Sequence, residues 1–170
     1  MLHAASVRPA ERRYRFALSL NAAFTALVIG ALVYASRSVP QAALLESLRS
    51  RSLAGAFGAT AGWLPSALHS FGFGVLTSLC LPARPRFLLA GCGAWGLVNA
   101  LFEWGQHPQI RGPLAALLRH VPGGSPLADY FWHGVFDGAD LAASLAGALA
   151  AAALLLITST TKEPYHAHRV

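Results

Sequence analysis

Apolar residues fall along this chain in four long runs, divided by prolines, glycines and charges. The runs cover residues 16–35, 63–81, 87–106 and 138–157. Each is about 20 residues long, the length an α-helix needs to cross a hydrocarbon layer ~30 Å thick. The first is broken only by Ser19, Asn21 and Thr25. Asn21 and Thr25 are one helical turn apart, which predicts a shared face bonding to a neighbouring helix. The second begins at Trp63, a suitable interfacial anchor, and contains Pro65, Ser66 and His69. The third carries Asn99 and Glu103 in its last turns, and the fourth opens on Asp137 and Asp140. The predicted fold is therefore all-α and polytopic, with four transmembrane helices.

The connections have their own patterns. Residues 1–15 read as a basic cytoplasmic arm, and residues 159–170 as a cytoplasmic tail. In the first outer loop, residues 41–53 combine Leu44, Leu45 and Leu48 with Glu46, Arg49 and Arg51, which fits a short interfacial helix. A solvated loop helix fits the same pattern. The link at 82–86 has two prolines and two arginines. Residues 107–132 read as a longer loop, with turn signals at Gly112-Pro113, Pro122-Gly123-Gly124 and Ser125-Pro126 and room for a short helix at 114–119.

Composition supports the membrane reading. Of the 170 residues, 55% are hydrophobic and only 12% charged, against about 25% charged for a soluble domain. The net charge of +6 does not indicate nucleic acid, because the basic residues are scattered at the ends of apolar runs and form no basic face. Their distribution sets orientation instead. Arg8, Arg12, Arg13, Arg15, Arg84, Arg86, Lys162 and Arg169 fall on one side, and Arg37, Arg49, Arg51, Arg111 and Arg119 on the other. The positive-inside rule then puts both termini in the cytoplasm. The first run exceeds the 7–15 residues of a cleavable signal core, so it reads as an uncleaved anchor. Cys80 and Cys92 lie within apolar runs and read as small packing residues.

Alternating topology places the polar residues of three helices at one depth. His69 lies about 9 Å along the second helix from Trp63. Glu103 and Gln106 end the third, and Asp137 and Asp140 begin the fourth. At ~100° per residue, Asn99, Glu103 and Gln106 share one face, as do Asp137, Asp140 and Ser144. His133 joins the acidic face if the fourth helix starts early. Ionisable groups at such depth face a bundle interior or a wet cavity. The expected site has Glu103, Asp140 and His69 as candidate acid–base groups. Gln106, Asp137, His133, Asn99 and Ser144 are its candidate binding groups. Asp137 alone also reads as a helix N-cap. Carboxylates and imidazoles can hold a metal, but no His-Glu-x-x-His signature is present and no metal ligands are assigned. The cofactor stays unknown.

These residues resemble a known family. Glu103-x-x-Gln106, a variable loop, and then Phe136-Asp137-x-x-Asp140-x-x-x-Ser144-x-x-Gly147 are similar to the two motif blocks of the VanZ-like membrane proteins. Pro65-Ser66-Ala67-Leu68-His69, followed by Phe71 and Phe73, resembles that family's histidine-bearing second helix. The resemblance covers residues 60–157. Ser144 stands where the family usually has asparagine, Pro65-Ser66 replaces a common Asp-Lys, and the loop after Gln106 is longer. The resemblance implies a polytopic membrane protein; the founding member is linked to teicoplanin resistance. Three functions stay open. The pocket can bind an envelope lipid or lipid-linked headgroup. It can serve a membrane-embedded hydrolase or transferase, so catalysis is undecided. The chain can also be a non-catalytic subunit of a larger membrane complex.

Overall fold

In the computed structural model, described for residues 9–36 and 58–160, the chain is helical with no strand among the described residues. The helices are α1 (Pro9–Ser36), α2 (Leu64–Leu79), α3 (Pro85–Gly105), α4 (Arg111–Arg119), α5 (Ser125–His133) and α6 (Gly138–Thr160), with a 3-10 turn at Gly58–Ala61 before α2. Three of them, α1, α3 and α6, are long and apolar enough to cross a membrane. The expected second span is shorter than its apolar run: α2 has 16 residues, or about 24 Å of helix at 1.5 Å per residue. Pro65 stands in its first turn, and Leu81-Pro82 lies outside the helix.

Other boundaries also differ from expectation. α1 starts at Pro9, so part of the predicted arm is helix: Arg15 pairs with Glu11 one turn earlier. The expected interfacial helix at 41–53 lies outside the described residues. The long loop after Gln106 contains two helices instead of one. α4 and α5 pack together as a hairpin, with Arg119 and Asp129 joined at 3.3 Å. Ser125-Pro126, expected as a turn, instead opens α5 with a proline in its first turn, where the missing N–H costs nothing.

α2 is the hub, packed against α1, α3 and α6. The packing rows are small. α1 buries Ser19, Ala23, Ala26, Gly30 and Val33 at alternating three- and four-residue steps, the period of one helical stripe. The common core joins Ala23, Val75, Leu88, Cys92, Ala151 and Leu155. Large apolar side chains point outward: Phe24, Val28 and Leu32 on α1, Leu97 and Leu101 on α3, Leu149 on α6. Small residues inside and large apolar ones outside suit a lipid surround, where close packing rather than water exclusion holds helices together. Asn21 and Thr25 are exposed on α1 and make no interhelical bond among the described residues. Ser19 occupies the buried stripe in their stead. Cys92 is buried and Cys80 exposed.

α2 and α6 run parallel and touch backbone to backbone. A Cβ on Gly147 would enter the Ala67 carbonyl, so this crossing requires glycine. Farther along, Gly74 lies against Ala151. At the opposite end, Arg15 donates to the Thr158 carbonyl at 2.7 Å, and Ser78 Oγ donates to the Leu88 carbonyl at 3.0 Å. Gly147→Val is expected to destabilise the bundle by about 1–3 kcal/mol through overpacking. Leu149→Ala, at a side chain 71% exposed, should change little. Denaturant titration of the detergent-solubilised protein checks both, and a fully stable Gly147→Val bundle rules out the close crossing.

Candidate functional site

The start of α6 is built by a cap. Asp137 precedes Gly138, and its Oδ1 accepts the Ala139 N–H at 2.8 Å, while its carbonyl takes the Leu141 N–H at 3.1 Å. The aspartate thereby satisfies a backbone donor that the first helical turn leaves open. Glu103, two residues before the end of α3, accepts the Asp137 backbone N–H at 3.3 Å through Oε2. One carboxylate therefore caps α6, and another pins that cap to α3.

Asp140, one turn into α6, accepts a hydrogen bond from Ser66 Oγ at 2.9 Å. Ser66 lies in the first turn of α2, so this bond joins the two parallel helices at the same depth. The Asp140 and Asp137 carboxylates also repel Glu103 electrostatically. Glu103 and Asp140 are half-buried, and among the described residues no arginine, lysine or histidine forms an ion pair with either. Arg111 is otherwise engaged, donating to the Gly134 carbonyl at 3.3 Å. Two carboxylates thus stand at the end of an apolar bundle with no counter-charge among the described residues.

Gln106 closes the other side. It is buried, with 6% of its surface exposed, and its Nε2 donates to Tyr130 Oη at 2.9 Å. Gly134 lies directly on the Gln106 amide, where a Cβ would collide with it. Phe102 packs edge-on against Tyr130 at 5.7 Å and tilted against Phe131 at 5.5 Å. The α4–α5 hairpin is therefore docked on the end of α3 and delivers the Tyr130 hydroxyl beside Glu103.

The structure does not bring the other candidates into this group. His69 lies over Gly30 of α1, with its Nε2 3.5 Å from where a Cβ would stand, and near Phe73 at 6.1 Å. Among the described residues it has no hydrogen bond to Glu103 or Asp140. His133 belongs to α5, because the chain between it and Gly138 is not helical. It is exposed, with Nδ1 2.9 Å from the Asp129 carbonyl, so the early start that would have aligned it with Asp140 does not occur. Asn99 Nδ2 donates to the Trp95 carbonyl of its own helix at 2.8 Å. Ser144 is buried one turn below Asp140, and its Oγ has no partner among the described residues; Ser70, one turn below Ser66, is in the same state. Among the described residues no three His, Cys, Asp or Glu side chains are placed to hold a metal ion.

Ser66 and Tyr130 are the site groups that sequence reasoning missed. Ser66 shares a helical turn with His69, but its bond to Asp140 depends on the crossing of α2 and α6. Tyr130 lay in a segment read as loop. The proline-started pattern of Leu127, Tyr130 and Phe131 was the available signal for its helix.

Partial burial pushes the Tyr130 hydroxyl above the ordinary tyrosine range, the negative charges of Glu103 and Asp140 push it the same way, and the hydrogen bond from Gln106 opposes them. The folded protein therefore holds this proton more tightly than the unfolded chain. Its contribution to stability is complete below the unfolded value and is lost as the pH rises through the folded one. Alkaline destabilisation should be weaker in Tyr130→Phe. In Glu103→Gln, tyrosinate absorbance assigned to Tyr130 by difference should develop at lower pH. An unchanged titration would separate Tyr130 from the carboxylates.

Compared with protein-family models, curated proteins and solved structures, the chain gives no match.

Proposed function

We propose that this chain is a VanZ-like polytopic protein of a bacterial inner membrane. In this reading its carboxylate end binds the headgroup of an envelope lipid or a lipid-linked precursor. Four helices cross the bilayer, α2 being the short central one, with both termini cytoplasmic by the positive-inside rule. The carboxylate end then faces the outer leaflet, with the α4–α5 hairpin at its rim.

One observation carries the reading: Glu103 and Asp140 stand at one end of the bundle with no ion-pair partner among the described residues. Uncompensated carboxylates beside hydrocarbon are costly, and the cost falls when a partner supplies positive charge or hydrogen-bond donors. Glu103 Oε2 takes one backbone donor and Asp140 Oδ1 one hydroxyl, and among the described residues the second oxygen of each is open to a ligand. A phosphate would be repelled there. The matching chemistry is an ammonium group or a donor-rich sugar or amide. Tyr130 adds a hydroxyl on the hairpin side. The buried Ser70 and Ser144 hydroxyls, one turn deeper and unpartnered among the described residues, continue a polar lining below the acids, as buried polar groups require partners or water.

Mass spectrometry of lipids that copurify with the protein tests this directly. An amine- or sugar-headed lipid should be enriched over the bulk membrane extract. Glu103→Gln and Asp140→Asn should each reduce that enrichment about tenfold, as expected for losing a charge-assisted hydrogen bond worth ~1.5–3 kcal/mol, while circular dichroism stays unchanged. A lipid profile identical in wild type and both folded variants would rule the reading out.

A further inference from the structure

The opposite end of the bundle carries a different chemistry. A groove of about 370 Å³ opens between the start of α1 and the α2–α3 link, lined by Arg13, Phe16, Ser78, Leu79, Leu81, Ala83 and Leu88. Its floor is closed: Ser78 is fully buried, its hydroxyl is given to the Leu88 carbonyl at 3.0 Å, and Leu88 is 7% exposed. The walls are apolar, with Phe16 on α1 and Leu81 and Ala83 on the link. Arg13 stands one turn before Phe16 on the same side of α1 and brings a guanidinium to an otherwise hydrocarbon-like slot.

That arginine has no acid to pair with among the described residues, where the ion pairs are Arg15–Glu11 and Arg119–Asp129. Its neighbour Arg15 is committed to Glu11 and the end of α6. The link adds Arg84 and Arg86, both exposed and neither ion-paired among the described residues, the latter over the Phe87 ring at 4.9 Å. An apolar slot that opens beside unpaired cations matches one lipid class in both parts. The slot suits an acyl chain, and the guanidinium suits a phosphate bearing net negative charge. A zwitterionic headgroup would bring its own cation to the same arginines.

We propose that this groove is a binding site for an anionic phospholipid, holding one acyl chain against Phe16, Leu81 and Leu88 with its phosphodiester on Arg13. The positive-inside rule puts this end in the inner leaflet, so the site is separate from the carboxylate end and stands whether or not that end binds a headgroup. A lipid seated here also bridges α1 to the α2–α3 link, where the shortness of α2 leaves room between them.

Native mass spectrometry of the full chain, titrated with phosphatidylglycerol or phosphatidylcholine of identical acyl chains, tests the site. Wild type should retain phosphatidylglycerol preferentially. Arg13→Gln should weaken that retention about fivefold, the effect of one arginine at an anionic lipid surface. Arg84→Gln, which removes the same charge outside the groove lining, should have a smaller effect. Ala83→Trp fills the slot without touching an arginine and should also lower retention, which keeps the test decisive if Arg13→Gln does not fold. Equal retention of the two lipids would overturn the proposal. So would equal losses in Arg13→Gln and Arg84→Gln with none in Ala83→Trp, since attraction would then depend on surface charge alone.

Discussion

The close crossing of α2 and α6 is the contact on which the rest of the structure depends. Gly147 lies against the Ala67 carbonyl, and no side chain fits between the two backbones. From that contact the depth of every neighbouring group follows. It brings Ser66 within 2.9 Å of Asp140 and sets Gly74 beside Ala151. With both helices fixed in parallel, α1 and α3 fill the remaining sides of α2.

The distribution of side-chain size follows the same requirement. Where lipid surrounds a protein, burying large apolar groups gains little, so helices associate through small residues that permit dense contact. This chain keeps mainly alanine, glycine, serine and cysteine inside, with Val33, Val75, Leu88 and Leu155 among them, and turns most of its large apolar side chains outward. A soluble bundle would reverse that order. The 16-residue α2 is tolerable at the centre because neighbouring helices, rather than lipid, cover much of its surface.

The two ends of the bundle then acquire opposite character. At one, carboxylates are held by a cap, a serine hydroxyl and a backbone N–H, without an ion-paired cation among the described residues. At the other, Arg15 is absorbed in helix-end contacts while Arg13, Arg84 and Arg86 are not ion-paired among the described residues. Charge of opposite character at two ends of one bundle is the basis of both proposals: donor-rich groups at the acidic end and anionic headgroups at the basic end.

The all-α class, three of the four expected spans and the shared end of Glu103, Asp137 and Asp140 were legible in the sequence, because hydropathy and helical rise act locally. The capping role of Asp137 was legible for the same reason. Rotation was not. The azimuth of His69, which puts it on Gly30 rather than among the acids, is set by which of three neighbours each face of α2 meets. The separation of His133 from Asp140 turns on a break between α5 and α6 that periodicity did not mark. The bonds of Ser66 to Asp140 and of Gln106 to Tyr130 join residues 74 and 24 positions apart. By itself the sequence determined that Glu103, Gln106, Asp137 and Asp140 share one end; only tertiary packing decided which of them touch and that Ser66 and Tyr130 join them, because contact between helices depends on rotation and approach distance that no single helix encodes.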